Sequence, residues 1–344
     1  FFKQKTAYEI PLRLVGSEMC IRDRIVIGGG SWGMAIATAL AAANTDVGLF
    51  VRNPETVRLL AKGKCRQLPD QPAVEPLAAT LNPDCLSAAS LIYVVVPAGA
   101  TQDVLSLIKD RANPEAGIIF AAKGLVADAS SDGRLLPELA VTDLPDHQTG
   151  ILSGPSFADE VLSGLPAALT IASQTPALVY AVQQSLTNSN LRLYGNDDPI
   201  GVAVGGTMKN VIAIAAGCAI GLGLGDNAKA AILTRGVAEM ARFAVAVGGR
   251  LESIYGLSGV GDLALTCSGP HSRNMAYGMA IGAEQSPDTR LAEGRHTVAA
   301  LAKRAETMGL ELPITNAVDR VVNHGDNLHD VVTALLARPI GREG

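Results

Sequence analysis

The chain predicts an α/β protein: a doubly wound sheet in its N-terminal part, followed by an all-α C-terminal domain. Three observations lead there. A short β-branched run, Ile25-Val26-Ile27, feeds a glycine-dense turn, Gly28-Gly29-Gly30-Ser31-Trp32-Gly33, which opens an Ala-rich helix. Apolar strand-like runs and helical patterns then alternate up to about Asn196, as a parallel sheet requires. Beyond that point only helical patterns remain.

Gly28, Gly30 and Gly33 carry the G-x-G-x-x-G spacing. The first makes a tight turn, the second lets backbone approach a pyrophosphate, and the third lets helix and strand pack closely. The helix that follows points free N–H groups and the positive end of its dipole at the phosphates. The spacing alone is a weak signal; the strand before it and the helix after it make it a Rossmann-type dinucleotide site.

Composition narrows the class. At 344 residues the chain is long enough for two domains, and with aromatics at 4% their cores are built from Ala, Val, Leu and Ile. A net charge of −5 argues against a nucleic-acid partner held by phosphate neutralisation. A local cationic pocket for an anionic substrate remains compatible with it. Five widely spaced cysteines (Cys20, Cys65, Cys85, Cys218, Cys267) without C-x-x-C suggest neither a disulfide framework nor a zinc site, and they suit a reducing cytoplasm. The longest apolar run, residues 211–222, is broken by Gly217 and Gly221 and too short to span a bilayer, so no stable membrane insertion is expected.

Residues 1–24 lack helical or strand periodicity and the apolar core of a secretion signal. They resemble the peptide translated from sequencing-adapter DNA joined to a gene by mistake. They are expected to be a non-native extension, a genuine polar extension being the alternative. The expected organisation is therefore 1–24 extension, 25–195 Rossmann domain, and 196–344 helical substrate and catalytic domain.

Within the first domain, residues 46–51 read as the second strand, ending at Arg52-Asn53, where the adenosine ribose is met. A carboxylate there would favour NAD, and an arginine accommodates the 2′-phosphate of NADP. Arg52 leans the reading to NADP(H) or dual use; a solvated strand end is the plain alternative. Pro54 starts a helix, and residues 62–82 read as loop. Residues 91–97 and 117–122 are apolar strands buried on both faces. The second delivers Lys123 over the crevice where such sheets bind ligands. A strand over 147–152 runs into Ser153-Gly154-Pro155-Ser156, with Ser156 and Asp159 spaced as a capping box. Strands over 167–172 and 191–194 close the domain.

In the helical part, residues 202–217 are apolar around most of their circumference and predict a buried central helix with two exceptions, Lys209 and Asn210. A lysine in such a stretch has partners or a task, or else snorkels to the surface. Arg235 and Glu239 read as an i,i+4 surface pair. A glycine-dense turn at 255–263 delivers Asp262, and the polar cluster Ser272-Arg273-Asn274 enters another helix. Leu291-Ala292-Glu293-Gly294 opens the last segment. The five histidines show no metal-ligand spacing, and no metal is expected.

These residues together resemble the bacterial NAD(P)-dependent glycerol-3-phosphate dehydrogenases. The resemblance covers residues 25–344 and rests on GGGSWG (28–33), AAKGL (121–125), SGPSFA (153–158), GGTMKNVIAIAAG (205–217), GVGDLALTC (259–267), SRN (272–274) and AEG (292–294). It implies NADP(H) or NAD(H) as cofactor. It also implies the reversible conversion of dihydroxyacetone phosphate to sn-glycerol 3-phosphate for phospholipid synthesis, in a cytoplasmic, homodimeric enzyme. By motif, Ser31, Trp32, Arg52, Ala158, Arg273, Leu291 and Glu293 would touch the cofactor beside the glycines and Lys123. Lys123, Gly154, Ser156, Lys209, Asp262, Ser272, Arg273 and Asn274 would line the substrate. Gly29, Met34 and the Leu291-Ala292 pair depart slightly from the family pattern.

The implied chemistry suits these residue types. Lys209 as ammonium can polarise a ketone and donate a proton, help typically worth ~100- to 10,000-fold. Burial and the cations Lys123 and Arg273 should lower its pKa while Asp262 opposes them, a balance open in the sequence. Arg273 can grip a phosphate with two parallel bonds, completed by Asn274, Ser272 and the 154–156 backbone. Two rivals stay open: a dehydrogenase of hydroxy or sugar acids, and a dinucleotide-sensing module without turnover.

Overall fold

The computed structural model describes residues 23–126, 133–287 and 293–337. The first strand, β1 (Arg24–Ile27), takes in Arg24, one residue before the predicted start. It lies between β2 (Val47–Phe50) and β4 (Leu91–Val94), parallel to both. The sheet has eight strands: β3 (Ala79–Thr80) at one edge, then β2, β1, β4, β5 (Gly117–Phe120), β8 (Thr149–Ser153), β9 (Ala167–Ala172) and β10 (Leu191–Asn196). Residues 125–126 and 134–135 form a separate two-residue hairpin, β6 and β7.

Side-chain alternation sorts the sheet's two faces. Ile25, Ile27, Ile92, Val94, Ile118 and Phe120 point to one core, and Val26, Leu91, Tyr93 and Ile119 to the other. The second face is covered by α1 (Ser31–Ala42), α5 (Ala158–Leu162) and α6 (Pro176–Ser185). The first is covered by α3 (Thr101–Arg111), α4 (Leu136–Asp143) and the long α7 (Pro199–Gly221). The short α2 (Pro54–Leu60) follows β2, capped by Asn53 with Pro54 in its first turn.

The sheet is mixed where the strand–helix alternation predicted a parallel one. β8 and β9 run antiparallel, and β10 returns parallel to β9. The cause is the connection. With five residues, α5 rises about 7.5 Å, too little to carry the chain back along a five-residue strand before re-entry. The chain therefore re-enters from the end it left.

After β10 the chain is helical: α7, α8 (Gly225–Ala246), α9 (Leu251–Ile254), a π-helical turn over Leu257–Gly261, α10 (Asp262–Thr266), α11 (Arg273–Gly282), α12 (Glu293–Thr307), α13 (Pro313–Asn323) and α14 (Leu328–Leu336). Asp198 caps α7 through Oδ1 to the Gly201 N–H at 2.9 Å, and its Oδ2 accepts from the Arg250 N–H. Among the described helices α7 alone is long and apolar enough to cross a membrane, and it lies buried at the centre of the protein. The apolar core runs without a break from the sheet face through Val202, Val204, Met208 and Val211 to Met275 and Val298. Helix α11 packs against α7, with Gly217 and Gly278 at the closest approach.

One expectation from helical spacing is corrected. Glu239 is not half of a surface pair with Arg235 but 1% exposed. Its carboxylate accepts from the Ile314 N–H (2.5 Å), the Thr315 N–H (3.1 Å) and the Thr315 hydroxyl (2.9 Å), and so ties α8 to the N-terminus of α13. Burial is the largest influence on this carboxyl and raises its pKa.

Candidate active site

The site forms where the sheet's carboxyl edge meets α7, and two glycines on α7 explain how. A Cβ on Gly205 would stand 2.6 Å from the Ser258 carbonyl, so the π-helical turn can rest directly on the helix. A Cβ on Gly206 would stand 2.9 Å from Ser153 Oγ and 3.5 Å from Lys123 Cγ, so β8 and Lys123 close in from the sheet side. One turn further along, Lys209 emerges between these two walls.

Lys209 is buried, and its ammonium donates to Asp262 Oδ1 at 2.5 Å and to Thr266 Oγ1 at 2.8 Å. Lys123, delivered by the end of β5, donates to the other oxygen, Asp262 Oδ2, at 2.6 Å and to the Gly154 carbonyl at 3.4 Å. One carboxylate, itself 1% exposed, thus holds two ammonium groups. The pKa of Lys209 is lowered to about 8: burial is the main cause and the positive charge of Lys123 the next, with Asp262 pulling the other way. Burial wins the balance that the sequence leaves open. The charged groups with the largest influence on it are Lys123 and Asp262.

Thr266 was not among the sequence candidates. It follows Asp262 by four residues on α10, so both face Lys209, and its hydroxyl donates back to the Asp262 carbonyl at 2.6 Å. That spacing was the available signal. Ser153 was also missed; its hydroxyl is buried with no hydrogen-bond partner among the described residues.

Ser156 is placed differently from expectation. The N-cap of α5 is Phe157, in extended conformation, and no side chain caps the helix. The Ser156 hydroxyl donates to the Gly154 carbonyl at 3.3 Å, and Asp159, its expected capping partner, pairs with His271 at 3.2 Å. Ser156 therefore stays in the loop beside Lys123. Gly154 has φ +146°, a conformation costly for any residue with a side chain.

At the start of α11 Ser272 is the N-cap, accepting from the Met275 N–H; Arg273 is exposed, and Asn274 is buried. Asn274 Oδ1 accepts from the Gly294 N–H at 3.0 Å, and a Cβ on Gly294 would meet both that oxygen and the Asn210 carbonyl. The start of α12, where Glu293 stands, is thereby brought against α7 and α11. Leu291 lies outside the described residues.

The glycine turn fits a dinucleotide. Gly28 has φ +118°, and a Cβ there would strike the Val95 carbonyl at 2.2 Å; one on Gly33 would strike the Gly28 carbonyl at 2.0 Å. Gly30 caps α1 without any side-chain hydrogen bond, and a Cβ on it would meet only Gln67 Nε2, at 3.9 Å. The turn is thus closed toward the protein and open outward at a helix N-terminus, as a pyrophosphate needs. Ser31 and Trp32 are the first two helical residues, and Ala158 opens α5 on the same face of the sheet. Arg52 is exposed at the end of β2, its guanidinium 3.6 Å from Asp103.

Residues 25–179 match the N-terminal family of NAD-dependent glycerol-3-phosphate dehydrogenases, and residues 198–333 match the corresponding C-terminal family. The chain belongs to the NAD-dependent glycerol-3-phosphate dehydrogenase family. It is 40% identical over 321 residues to the glycerol-3-phosphate dehydrogenase (NAD(P)+) of Mesorhizobium japonicum, covering 92% of this chain and 93% of that one. The crystal structure of glycerol-3-phosphate dehydrogenase from Coxiella burnetii superposes with a TM-score of 0.85 at 34% identity, over 92% of this chain and all of that one. A D-mandelate dehydrogenase complex with NADH shares the fold alone: TM-score 0.59 at 14% identity, over 88% of this chain and 98% of that one. Membership of the dehydrogenase family makes this an NAD(P)-dependent oxidoreductase.

Proposed function

We propose that this protein catalyses the reversible NAD(P)H-dependent reduction of dihydroxyacetone phosphate to sn-glycerol 3-phosphate, supplying glycerophospholipid synthesis. The observation that carries the reading is Lys209, an ammonium on the buried central helix held by Asp262 and Thr266 beside Lys123.

When bound, the cofactor supplies the hydride that adds to the carbonyl carbon. Lys209 polarises the carbonyl oxygen and gives it a proton as negative charge develops there. In the reverse direction neutral Lys209 takes the hydroxyl proton. Asp262 and Thr266 fix the direction of the Lys209 N–H bonds, so that one is left for the substrate. Arg273, with Ser272, Asn274 and the N–H groups of the first turn of α11, grips the phosphate. Gly154 and Ser156 border the pocket next to Lys123. The glycine turn, Ser31, Trp32, Ala158, Glu293 and Leu291 hold the dinucleotide. Arg52 at the end of β2 favours use of NADPH, or of both nucleotides. The same reading places the protein in the cytoplasm, a reducing setting that suits the buried cysteines Cys65, Cys85, Cys218 and Cys267, none of them in a disulfide among the described residues, and makes it a homodimer.

The test follows nicotinamide absorbance with NADH or NADPH and three substrate classes: dihydroxyacetone phosphate, dihydroxyacetone, and small keto acids. Turnover is expected on the phosphorylated ketone, and Lys209→Ala should remove at least about 100-fold of it. Equal rates on the unphosphorylated ketone would refute the substrate, and near-normal activity of the variant would refute the acid–base role. Analytical ultracentrifugation of the purified protein tests the dimer.

A further inference from the structure

Ser153 ends β8 and is 3% exposed, and its hydroxyl is left without a hydrogen-bond partner among the described residues. A buried hydroxyl left unpaired costs stability, so its place in the fold asks for a reason. The hydroxyl lies against α7 at Gly206, on the same spot that the stem of Lys123 approaches. The Lys123 side chain is 17% exposed and is anchored through its ammonium to Asp262 and the Gly154 carbonyl. Re-aiming that ammonium when substrate binds would open the hydroxyl to the site.

The order of groups along α7 says what would meet it. Gly206, Lys209 and Asn210 stand at i, i+3 and i+4, on one face, and the step from 206 to 210 is about 6 Å. Asn210 touches Gly294, which is bonded to Asn274 at the start of α11. Along one face of α7 the order is therefore the Ser153 hydroxyl beside Gly206, then Lys209, then the Arg273–Asn274 turn beside Asn210. Dihydroxyacetone phosphate carries its polar groups in the matching order: free hydroxyl, carbonyl, phosphate.

We propose that Ser153 Oγ hydrogen-bonds the unphosphorylated hydroxyl of the triose phosphate and so selects a hydroxymethyl ketone over a methyl ketone. The assignment rests on dihydroxyacetone phosphate being the substrate. The experiment compares wild type and Ser153→Ala on dihydroxyacetone phosphate and on acetol phosphate, which carries a methyl group in place of the hydroxymethyl. The variant should lose roughly tenfold in kcat/KM on dihydroxyacetone phosphate, mainly through KM, and nothing on acetol phosphate, so the preference shrinks by the same factor. Its ligand-free melting temperature should be equal or higher, because an unpaired buried hydroxyl has been removed. An unchanged preference overturns the assignment. So does a lower melting temperature, which would mean that Ser153 serves a structural partner. A wild type inactive on dihydroxyacetone phosphate overturns the substrate reading and this assignment with it.

Discussion

Replacing Asp262 by asparagine removes the single carboxylate that faces two ammonium groups, and the response can be worked out from the site. If Lys123 and Lys209 both keep their protons, uncompensated charge stays buried at a cost of about 3–5 kcal/mol. If Lys209 instead releases its proton at pH 7, the cost is that of about one unit below its pKa of about 8, or on the order of 1 kcal/mol. Loss of the Asp262 field lowers that pKa further, so release becomes cheaper still. Release wins. Asp262→Asn should therefore fold, with a stability loss of about 2 kcal/mol or less. At neutral pH it should lose ~100-fold or more in ketone reduction, because the acid is gone.

The assay is kcat/KM against pH in both directions, with urea melts alongside. In the native enzyme reduction should fall as pH rises through about 8, and oxidation should rise through the same value, since one needs the ammonium and the other the amine. In Asp262→Asn the reduction limb should move to lower pH. Stability carries its own sign. Lys209 has a folded pKa below its unfolded value of 10.5, so the unfolded chain binds more protons between about 8 and 10.5. Its contribution to stability therefore increases with pH across that window, and in the variant the window extends lower. A variant with native pH limbs, or one that loses 3 kcal/mol or more while Lys209 stays charged, would refute this reasoning.

Arg273→Lys should raise KM for dihydroxyacetone phosphate about tenfold or more with a smaller effect on kcat, because a point charge cannot reproduce a forked grip. An unchanged KM in steady-state kinetics would move the phosphate elsewhere. Glu239→Ala should lower stability by about 3 kcal/mol in urea denaturation, since it strands the Ile314 and Thr315 N–H groups and the Thr315 hydroxyl in a buried position. A loss under about 1 kcal/mol would mean that water reaches the start of α13.

The alternating part of the fold was legible because its strands are short apolar runs with turn chemistry at their ends. Ile25-Val26-Ile27 and residues 91–94 could be read directly, and the glycine turn between β1 and α1 marked the candidate phosphate site. Strand direction after β8 was not legible, because it depends on how far α5 extends, and a capping-box spacing gave no warning that the helix starts after Ser156. Glu239 misled for a related reason. An i,i+4 pair looks the same on a solvent face as on a face that another helix covers.

The site itself was half legible, and the reason lies in α7. Lys209 stood out as a charge in an apolar helix, but its partners are not local: Asp262 is 53 residues further on, and Lys123 is 139 residues before Asp262. What unites them is the pair Gly205-Gly206. In a helix interior each glycine costs roughly 0.8–1 kcal/mol relative to alanine, so two in succession are a local defect. Here they are the two flat places where the π-helical turn and the end of β8 reach the helix axis closely enough for Asp262 and Lys123 to meet the amine one turn away. An alanine at position 205 would place its methyl 2.6 Å from the Ser258 carbonyl and push the turn outward. The Asp262 carboxylate would move with the turn, away from the ammonium it must orient. The local weakness of the helix and the assembly of its charged cluster therefore have the same cause.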